Sequence, residues 1–301
     1  MNIVILGAGA IGSLFGALLF KKNNILLLGK ASHVHAVKAN GLTIDGKTCL
    51  NVNISAEDSV EDIPFSVDLL IVTVKSYDAE SAINQAKKII NDDTVVLSLQ
   101  NGLDNVKVIE HVVDRKQIIA GVTTQGAFFS KPGCIVHTGV GKTILGELDG
   151  ESSERIKNVN DIFNQVGIKT VVSKSIIKEM WVKAIVNSSI NTLTAFFKCK
   201  NGYLLENFIL EKIVEKICQE STNVADAYGI NLSYLDMVQK TKEVIRNTSE
   251  NYSSMLQSVK RGKKTEIDSI NGTLIDIGRS YDVDVSLNAI MMSIIKTLSE
   301  K

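Results

Sequence analysis

Three polar residues recur at every fourth position in one long stretch of the chain: Lys183, Asn187 and Asn191. Residues 184–197 contain no charged side chain, and their pattern predicts a helix that carries the three residues on one face. A lysine can donate a proton, and an asparagine amide both donates and accepts hydrogen bonds. Burying such groups without partners costs about 1–3 kcal/mol each, so we expect this polar stripe to line a wet cleft or contact a ligand. The alternative is a surface stripe in which Lys183 pairs with Glu179.

A glycine turn near the start of the chain forms the second candidate site. Residues 3–6 are an apolar run, and the next six residues have the spacing Gly-x-Gly-x-x-Gly: Gly7, Ala8, Gly9, Ala10, Ile11 and Gly12. A buried strand leading through this motif into a helix is the fingerprint of dinucleotide binding. Gly7 would make the tight turn, Gly9 would let the backbone approach a pyrophosphate, and Gly12 would allow close helix packing. The alternative is an ordinary helix start that contains glycines.

Lys30 stands at the position whose side chain determines whether such a site prefers NAD or NADP. It follows the second apolar run, residues 25–28, where an NAD-binding protein carries an acid for the ribose 2′-hydroxyl. No Asp or Glu precedes Asp45, whereas lysines occur at positions 21, 22, 30 and 38. A cation suits a 2′-phosphate, so the sequence predicts NADPH/NADP+ as the cofactor.

Composition bounds the class of protein. A chain of 301 residues with 45% hydrophobic residues exceeds what one core usually organises, which predicts two domains. Its formal net charge is zero, so we expect a small-molecule partner and neither nucleic acid nor a membrane. Four cysteines without paired spacing argue against disulfides and against a metal site, and predict buried thiols in a reducing, cytoplasmic compartment.

The order of elements predicts the fold class. Up to about residue 150, apolar runs alternate with helical patterns, as in a parallel sheet with helices on both faces. Lys75 and Asn101 each follow one of these predicted strands, at the sheet edge where such folds bind ligands. We therefore place them where cofactor and substrate would meet. The alternatives are a solvated loop charge for Lys75 and an Asn-Gly turn for Asn101.

After residue 173 the pattern predicts helices alone. The expected helices span residues 175–197, 206–228, 233–260, 265–281 and 286–299. The sequence thus predicts an α/β, Rossmann-type NADP(H)-binding domain over residues 1–173. It is followed by an all-helical substrate and catalytic domain over residues 174–301, with the site in the cleft between them.

Motifs along nearly the whole chain resemble those of the ketopantoate reductase family, the 2-dehydropantoate 2-reductases of pantothenate and coenzyme A biosynthesis. The most specific of these motifs are residues 253–257 and residues 265–272. The motifs are the glycine turn, Thr73-Val74-Lys75-Ser76-Tyr77-Asp78, Gln100-Asn101-Gly102, residues 121–127, Pro132-Gly133 with residues 137–139, Trp181-Val182-Lys183 with the two asparagines, residues 253–257, and residues 265–272.

The resemblance implies a role for each matching residue. Lys183 would be the proton donor, and Glu266, if near, would hold it in position. Lys30 matches a basic residue that reads the 2′-phosphate. The residues implied to contact substrate are Asn101, Asn187, Asn191 and Ser254. Those implied to line the cofactor side, besides the glycine turn, are Lys75, Asn101, Ala127 and Glu266.

The residue types agree with the chemistry of a reductase of this kind. Hydride delivery to the keto carbon of a 2-oxo acid builds an alkoxide that needs a proton, which a positioned lysine can give without a metal. Two departures leave room for another 2-oxo acid, because Thr192 stands where the family usually has proline and Ser258 where it usually has an acid. A same-mechanism reductase of another 2-oxo acid and a non-catalytic NADP(H)-sensing protein stay open as alternatives. The chain is expected to be a monomer or a homodimer.

Overall fold

A computed structural model describes residues 1–299 of the chain. These residues form two compact units, one of residues 1–100 with 105–177 and the other of residues 101–104 with 178 onward. The first unit is mixed α/β and the second is helical, which confirms the predicted fold class. The assignment of cofactor binding to residues 1–173 and of substrate binding to the rest stays a prediction.

The first unit contains twelve strands and five α-helices. In chain order they are β1 Asn2–Leu6, α1 Ala10–Leu19, β2 Asn24–Leu28, α2 Ala31–Asn40, β3 Leu42–Gly46, β4 Leu50–Val52, β5 Ser55–Glu57, β6 Leu69–Val72, α3 Ala79–Ala86, β7 Val95–Ser98, α4 Asn105–Glu110, β8 Ile118–Thr123, β9 Gly126–Lys131, β10 Cys134–Gly139, β11 Thr143–Glu147, α5 Glu154–Gln165 and β12 Thr170–Val172.

Eight of these strands form the main sheet, in the order β12-β11-β8-β7-β6-β1-β2-β5. All pairings are parallel except that between β8 and β11. Strands buried on both faces are near-continuous apolar runs, as Leu69–Val72 is, because helices cover each side. β1 lies between β2 and β6, so the strand order reverses beside β1. Open α/β sheets bind ligands at the carboxyl ends of the strands flanking such a reversal.

A second sheet, which the sequence reasoning did not anticipate, has the order β4-β3-β10-β9. β3 and β10 pair in parallel although about ninety residues separate them in the chain. The buried side chain of His33 on α2 ties this region to α1. Its Nδ1 accepts from the Gly133 backbone N–H at 3.0 Å and its Nε2 lies 3.1 Å from Ser13 Oγ. Because Nδ1 must accept, the neutral ring carries its proton on Nε2.

We expect His33 to make the first unit less stable in acid. Burial lowers the pKa of His33 below its ordinary value of 6.5, so the unfolded chain binds a proton more readily than the folded one. The free energy of unfolding should therefore fall as pH drops below about 6.5, by at most about 1.4 kcal/mol per pH unit, until the lowered pKa is passed. Denaturant titrations at pH 7.5 and 5.5 measure this loss.

His35 supplies the matched control for this prediction, because it lies two residues along the same helix and is exposed. The His33→Gln variant should lose much of the pH dependence in this range, whereas His35→Gln should keep it. Equal pH dependence in both variants would contradict the role of His33.

The second unit consists of seven α-helices and one π-helical turn, Asp268–Gly272. The α-helices are α6 Ile176–Phe197, α7 Tyr203–Glu206, α8 Phe208–Ala227, α9 Tyr234–Asn247, α10 Ser254–Lys260, α11 Thr273–Ser280 and α12 Ser286–Ser299. The predictions for α6 and α12 are confirmed almost to the residue.

One helix prediction for the second unit is wrong, and another differs from the structure in its first turn. The expected helix 233–260 is two helices, because Ser253 caps α10 by accepting from the Leu256 N–H at 3.2 Å. The residues between them bind the segment before α7 instead, where Gly202 N–H donates to the Ser249 carbonyl at 3.0 Å. The expected helix 265–281 is found over most of its range, as the π-helical turn Asp268–Gly272 followed directly by α11. Local capping and tertiary hydrogen bonds produce these differences, and the spacing of apolar residues carries no information about either.

Candidate active site

The glycine turn has the geometry that its spacing predicts. Gly7 has φ +106°, and its N–H and that of Ala8 both donate to the Leu28 carbonyl at 2.9 Å. A Cβ on Gly7 would lie 2.5 Å from the Val74 nitrogen, and one on Gly12 would lie 2.3 Å from the Gly7 oxygen. Neither position can accept a side chain without a shift of the backbone.

Gly9 differs from the other two glycines. A Cβ there would have no neighbour nearer than the Gly7 oxygen at 4.0 Å, so protein packing leaves the space beside it open. Gly9 is also the N-cap residue of α1, whose first turn, Ala10 to Gly12, has no acid. The first N–H groups of this ten-residue helix thus have no carboxylate of that turn beside them, and a helix N-terminus of this kind is suited to an anion. The space at Gly9 and the helix terminus fit a pyrophosphate.

Lys30 is exposed and occupies the N-cap position of α2. The fold brings an acid close to it that the sequence reasoning missed, because Glu57 on β5 pairs in register with Leu28. The Glu57 carboxylate lies 2.6 Å from Lys38 Nζ, so its negative charge is compensated. The signal in the sequence was a charge on a three-residue strand, which is too short to place beside β2 without the structure.

Two further predicted cofactor residues lie on different parts of the first unit. Lys75 follows β6 and precedes the short 3-10 turn Ser76–Asp78, where it is half-buried. Ala127 lies on β9 of the second sheet and pairs with His137. The sequence reasoning did not recognise the strand that carries Ala127, so only the resemblance pointed to this residue.

The polar stripe lies on one helix, as predicted, since Lys183, Asn187 and Asn191 all belong to α6. Lys183 and Asn187 are half-buried and Asn191 is only 6% exposed. The buried hydroxyls of the same helix donate to carbonyls three or four residues earlier, so each hydroxyl proton is used within the helix. These hydroxyls belong to Ser188, Ser189, Thr192 and Thr194.

Ser254 is brought to the C-terminal end of the stripe. Thr194 Oγ1, three residues beyond Asn191, is hydrogen-bonded to Ser253 Oγ at 2.7 Å. Ser254 is the next residue, exposed at the first position of α10. A common core holds α6, α10, the Glu266 segment and α12 together. Its buried residues are Ala195, Met255, Leu256, Ile267, Ile270 and Ile295.

Asn101 and Glu266 meet although 165 positions separate them. Asn101 Nδ2 donates to Glu266 Oε2 at 3.4 Å, and the Leu103 N–H donates to the Ser269 carbonyl at 3.4 Å. Glu266 is only 7% exposed. Residues 101–104 therefore pack with the second unit, so that one predicted substrate contact and one predicted cofactor contact lie side by side.

Asp104 adds a carboxyl group to this segment, and two other carboxylates, those of Glu266 and Asp268, act on its charge. Burial raises its pKa, the Ser269 hydrogen bond opposes that rise, and the charges of Glu266 and Asp268 raise it further. The π-helical turn begins two residues after Glu266, and such turns occur often at functional sites.

The structure adds one candidate that the sequence reasoning missed. Asn201 is 7% exposed, and its Nδ2 donates to Thr248 Oγ1 at 2.9 Å. Its Oδ1 is buried without a hydrogen-bond partner among residues 1–299, so a ligand group could donate to it. Only the three-dimensional arrangement reveals an acceptor of this kind.

Residues 1–299 contain no group of three His, Cys, Asp or Glu side chains arranged to hold a metal ion. Within the same residues, no helix has both the length and the apolar character to span a bilayer. The prediction of four buried thiols is confirmed only for Cys218, since Cys134 and Cys199 are half-buried and Cys49 is exposed in the turn before β4.

Comparison with known families gives two matches that together cover most of the chain. Residues 3–150 match the model described as "Ketopantoate reductase PanE/ApbA", and residues 175–299 match "Ketopantoate reductase PanE/ApbA C terminal". A 2-dehydropantoate 2-reductase of Pyrococcus horikoshii is 39% identical over 299 residues, covering 98% of this chain and 97% of the relative. One of Pyrococcus abyssi is 40% identical over 301 residues, with the same coverage.

Solved structures of similar proteins carry two different names. The ternary structure of D-mandelate dehydrogenase with NADH and anilino(oxo)acetate has a TM-score of 0.95 at 27% identity, covering 100% of this chain and 99% of that one. A PanE/ApbA family ketopantoate reductase from Ralstonia eutropha has a TM-score of 0.91 at 26% identity, with the same coverage.

Proposed function

The chain belongs to the ketopantoate reductase family, and we propose that it reduces 2-dehydropantoate to pantoate with NADPH. The observation that carries the proposal is the agreement of the two Pyrococcus relatives. Both match this chain over 98% of its length at 39% and 40% identity, and both are named 2-dehydropantoate 2-reductase. The family makes the chain an oxidoreductase. The identity of its 2-oxo acid and its preference for NADPH belong to the proposal.

The residues of both units suit this reaction. Bound NADPH supplies the hydride, and the open space at Gly9 with the α1 N-terminus fits its pyrophosphate. Lys183 Nζ would give a proton to the alkoxide oxygen as it forms. Asn187, Asn191 and Ser254 would hold the substrate by neutral hydrogen bonds. Glu266 accepts from the Asn101 amide and would keep that amide oriented toward substrate and cofactor.

The proposal is tested by the loss of NADPH absorbance when 2-dehydropantoate is added to the purified protein. Turnover that depends on both compounds, with pantoate as product, is expected. Tight NADPH binding without turnover on any 2-oxo acid would instead favour a non-catalytic NADP(H)-sensing protein.

A reductase of another 2-oxo acid is the second candidate, and the likeness to D-mandelate dehydrogenase favours it. The departure at Thr192 adjoins the stripe, and α6 continues through it because threonine, unlike proline, keeps the backbone N–H that a helix requires. The Thr192 hydroxyl donates to the Ser188 carbonyl at 2.8 Å. Values of kcat/KM for 2-dehydropantoate and for branched and aromatic 2-oxo acids separate the two candidates. The first requires the highest value for 2-dehydropantoate.

Lys30 should set the preference for NADPH. We expect Lys30→Asp to weaken NADPH relative to NADH, because a charge-assisted contact with the 2′-phosphate contributes about 1.5–3 kcal/mol. Steady-state KM values for both cofactors measure the change. Lys21→Asp is the matched control, since Lys21 is an exposed lysine at the other end of β2. If the ratio of the KM for NADPH to the KM for NADH were unchanged in Lys30→Asp, Lys30 would not be the residue that binds the 2′-phosphate.

The remaining features of the proposal concern the setting of the enzyme. We propose a small 2-oxo acid as its partner, a cytoplasmic location, and action as a monomer or homodimer. Sedimentation of the purified protein distinguishes the last two.

A further inference from the structure

Gln100 has a buried acceptor oxygen for which residues 1–299 provide no donor. The residue follows β7 at the carboxyl edge of the main sheet, and it is only 7% exposed. Its Nε2 donates to the Val74 carbonyl at 2.9 Å. Its Oε1 is buried and has no hydrogen-bond partner among the described residues.

The orientation of this amide is determined by chemistry. The Val74 carbonyl can only accept, so the amide nitrogen must face it; a flipped amide would place two acceptors in contact. Oε1 is therefore the atom left over. A buried acceptor without a donor costs free energy comparable to a lost hydrogen bond, and native proteins rarely leave one unsatisfied. A bound ligand with an O–H or N–H group would remove that cost.

The position of Gln100 indicates which ligand could supply the donor. Val74, to which it is bound, packs against the glycine turn, since a Cβ on Gly7 would lie 2.5 Å from the Val74 nitrogen. β6 and β7 lie on the opposite side of β1 from β2. The residue after β2 reads the adenosine ribose in this fold, so the other nucleoside of a dinucleotide extends toward β6 and β7.

Resting on the proposed function, we propose that Gln100 Oε1 binds the nicotinamide nucleoside half of the cofactor. It accepts a hydrogen bond from a ribose hydroxyl or from the carboxamide N–H of the nicotinamide. Gln100 is then a cofactor-binding residue on the first unit, separate from the adenosine contacts of Lys30.

Calorimetry on the Gln100→Met variant tests the proposal with two probes, NADP+ and adenosine 2′,5′-bisphosphate, which lacks the nicotinamide nucleoside. We expect NADP+ to bind about 3- to 10-fold more weakly and the bisphosphate to bind as in the wild type. Gln117→Met is the matched control. Gln117 also donates through Nε2 to backbone carbonyls, including that of Thr94 at 3.1 Å, but at the amino end of β7. It should bind both probes normally.

A purely structural role for Gln100 predicts a different result. Loss of the hydrogen bond to Val74 would then disturb the glycine turn and lower the affinity for both probes by a similar factor. This outcome overturns the proposal. Equal NADP+ affinity in Gln100→Met and the wild type also overturns it, because a water would then satisfy Oε1. A wild type that binds neither probe would instead contradict the proposed function.

Two further measurements keep the proposal testable and identify the donor. In Gln100→Glu, the protonated carboxyl can donate to the Val74 carbonyl and keep an acceptor oxygen, so NADP+ affinity should recover at pH 5 relative to pH 8. No recovery counts against the proposal. The 3-acetylpyridine analogue of NADP+ lacks the carboxamide N–H. Gln100→Met should bind it as well as the wild type does if that N–H is the donor, and more weakly if the ribose is.

Discussion

Replacing Lys183 by alanine is expected to lower kcat by about 10²- to 10⁴-fold while the protein stays folded and still binds NADPH. The size of the effect is the usual contribution of a positioned general acid. Lys183 is half-buried on α6, on the same face as Asn187 and the buried Asn191, so its removal takes away the proton donor of the stripe. Single-turnover loss of NADPH absorbance measures the rate of the chemical step.

The matched control is Lys178→Ala, five residues earlier on the same helix, where the lysine is exposed. This variant should turn over as the wild type does. If Lys183 were a surface lysine paired with Glu179, its removal would cost at most about 1 kcal/mol of stability and leave the rate unchanged. A wild-type single-turnover rate in Lys183→Ala would therefore rule out the catalytic role.

The features that could be predicted from the sequence are those that a short segment determines by itself. The glycine turn follows from the spacing of Gly7, Gly9 and Gly12 within six consecutive residues, and Gly7 takes the positive φ of +106° that favours glycine. The stripe on α6 follows from a period of about four residues in one uninterrupted helix. The parallel sheet follows from apolar runs such as residues 69–72. A strand buried on both faces is apolar at every position and shows no alternation of apolar and polar side chains.

The features that could not be predicted depend on contacts between distant segments. The pairing of β3 with β10 creates the second sheet, and neither strand alone indicates its partner. Glu266 meets Asn101 across 165 positions, and Glu57 reaches the end of β2 through the register of a three-residue strand. The unpartnered oxygen of Gln100 depends on which groups the folded chain brings beside it, and the segment around residue 100 does not contain that information. Such positions require either a structure or a resemblance.

Gly9 and Gly12 should respond to the same substitution in opposite ways. At Gly9 the backbone is extended, with φ −81° and ψ −159°, so alanine fits it, and beyond the adjacent residues its Cβ would meet nothing nearer than the Gly7 oxygen at 4.0 Å. Gly9→Ala should therefore leave the free energy of unfolding unchanged or raise it by up to about 1 kcal/mol. Gly9→Ala should still lower the affinity for NADPH about 10- to 150-fold. The added methyl group separates the backbone from the pyrophosphate and so removes a charge-assisted hydrogen bond.

Gly12→Ala provides the contrast that makes the test decisive. Its Cβ would lie 2.3 Å from the Gly7 oxygen and 2.5 Å from Thr73 Oγ1, which itself donates to that oxygen at 2.8 Å. Overpacking of this kind should cost about 1–3 kcal/mol of stability, and NADPH affinity would fall only as a consequence of the disturbed turn. Denaturant unfolding without ligand and calorimetry with NADPH separate the two effects. Wild-type NADPH affinity in a stable Gly9→Ala variant would show that no pyrophosphate approaches this turn, because the added methyl group then occupies space that the ligand never uses.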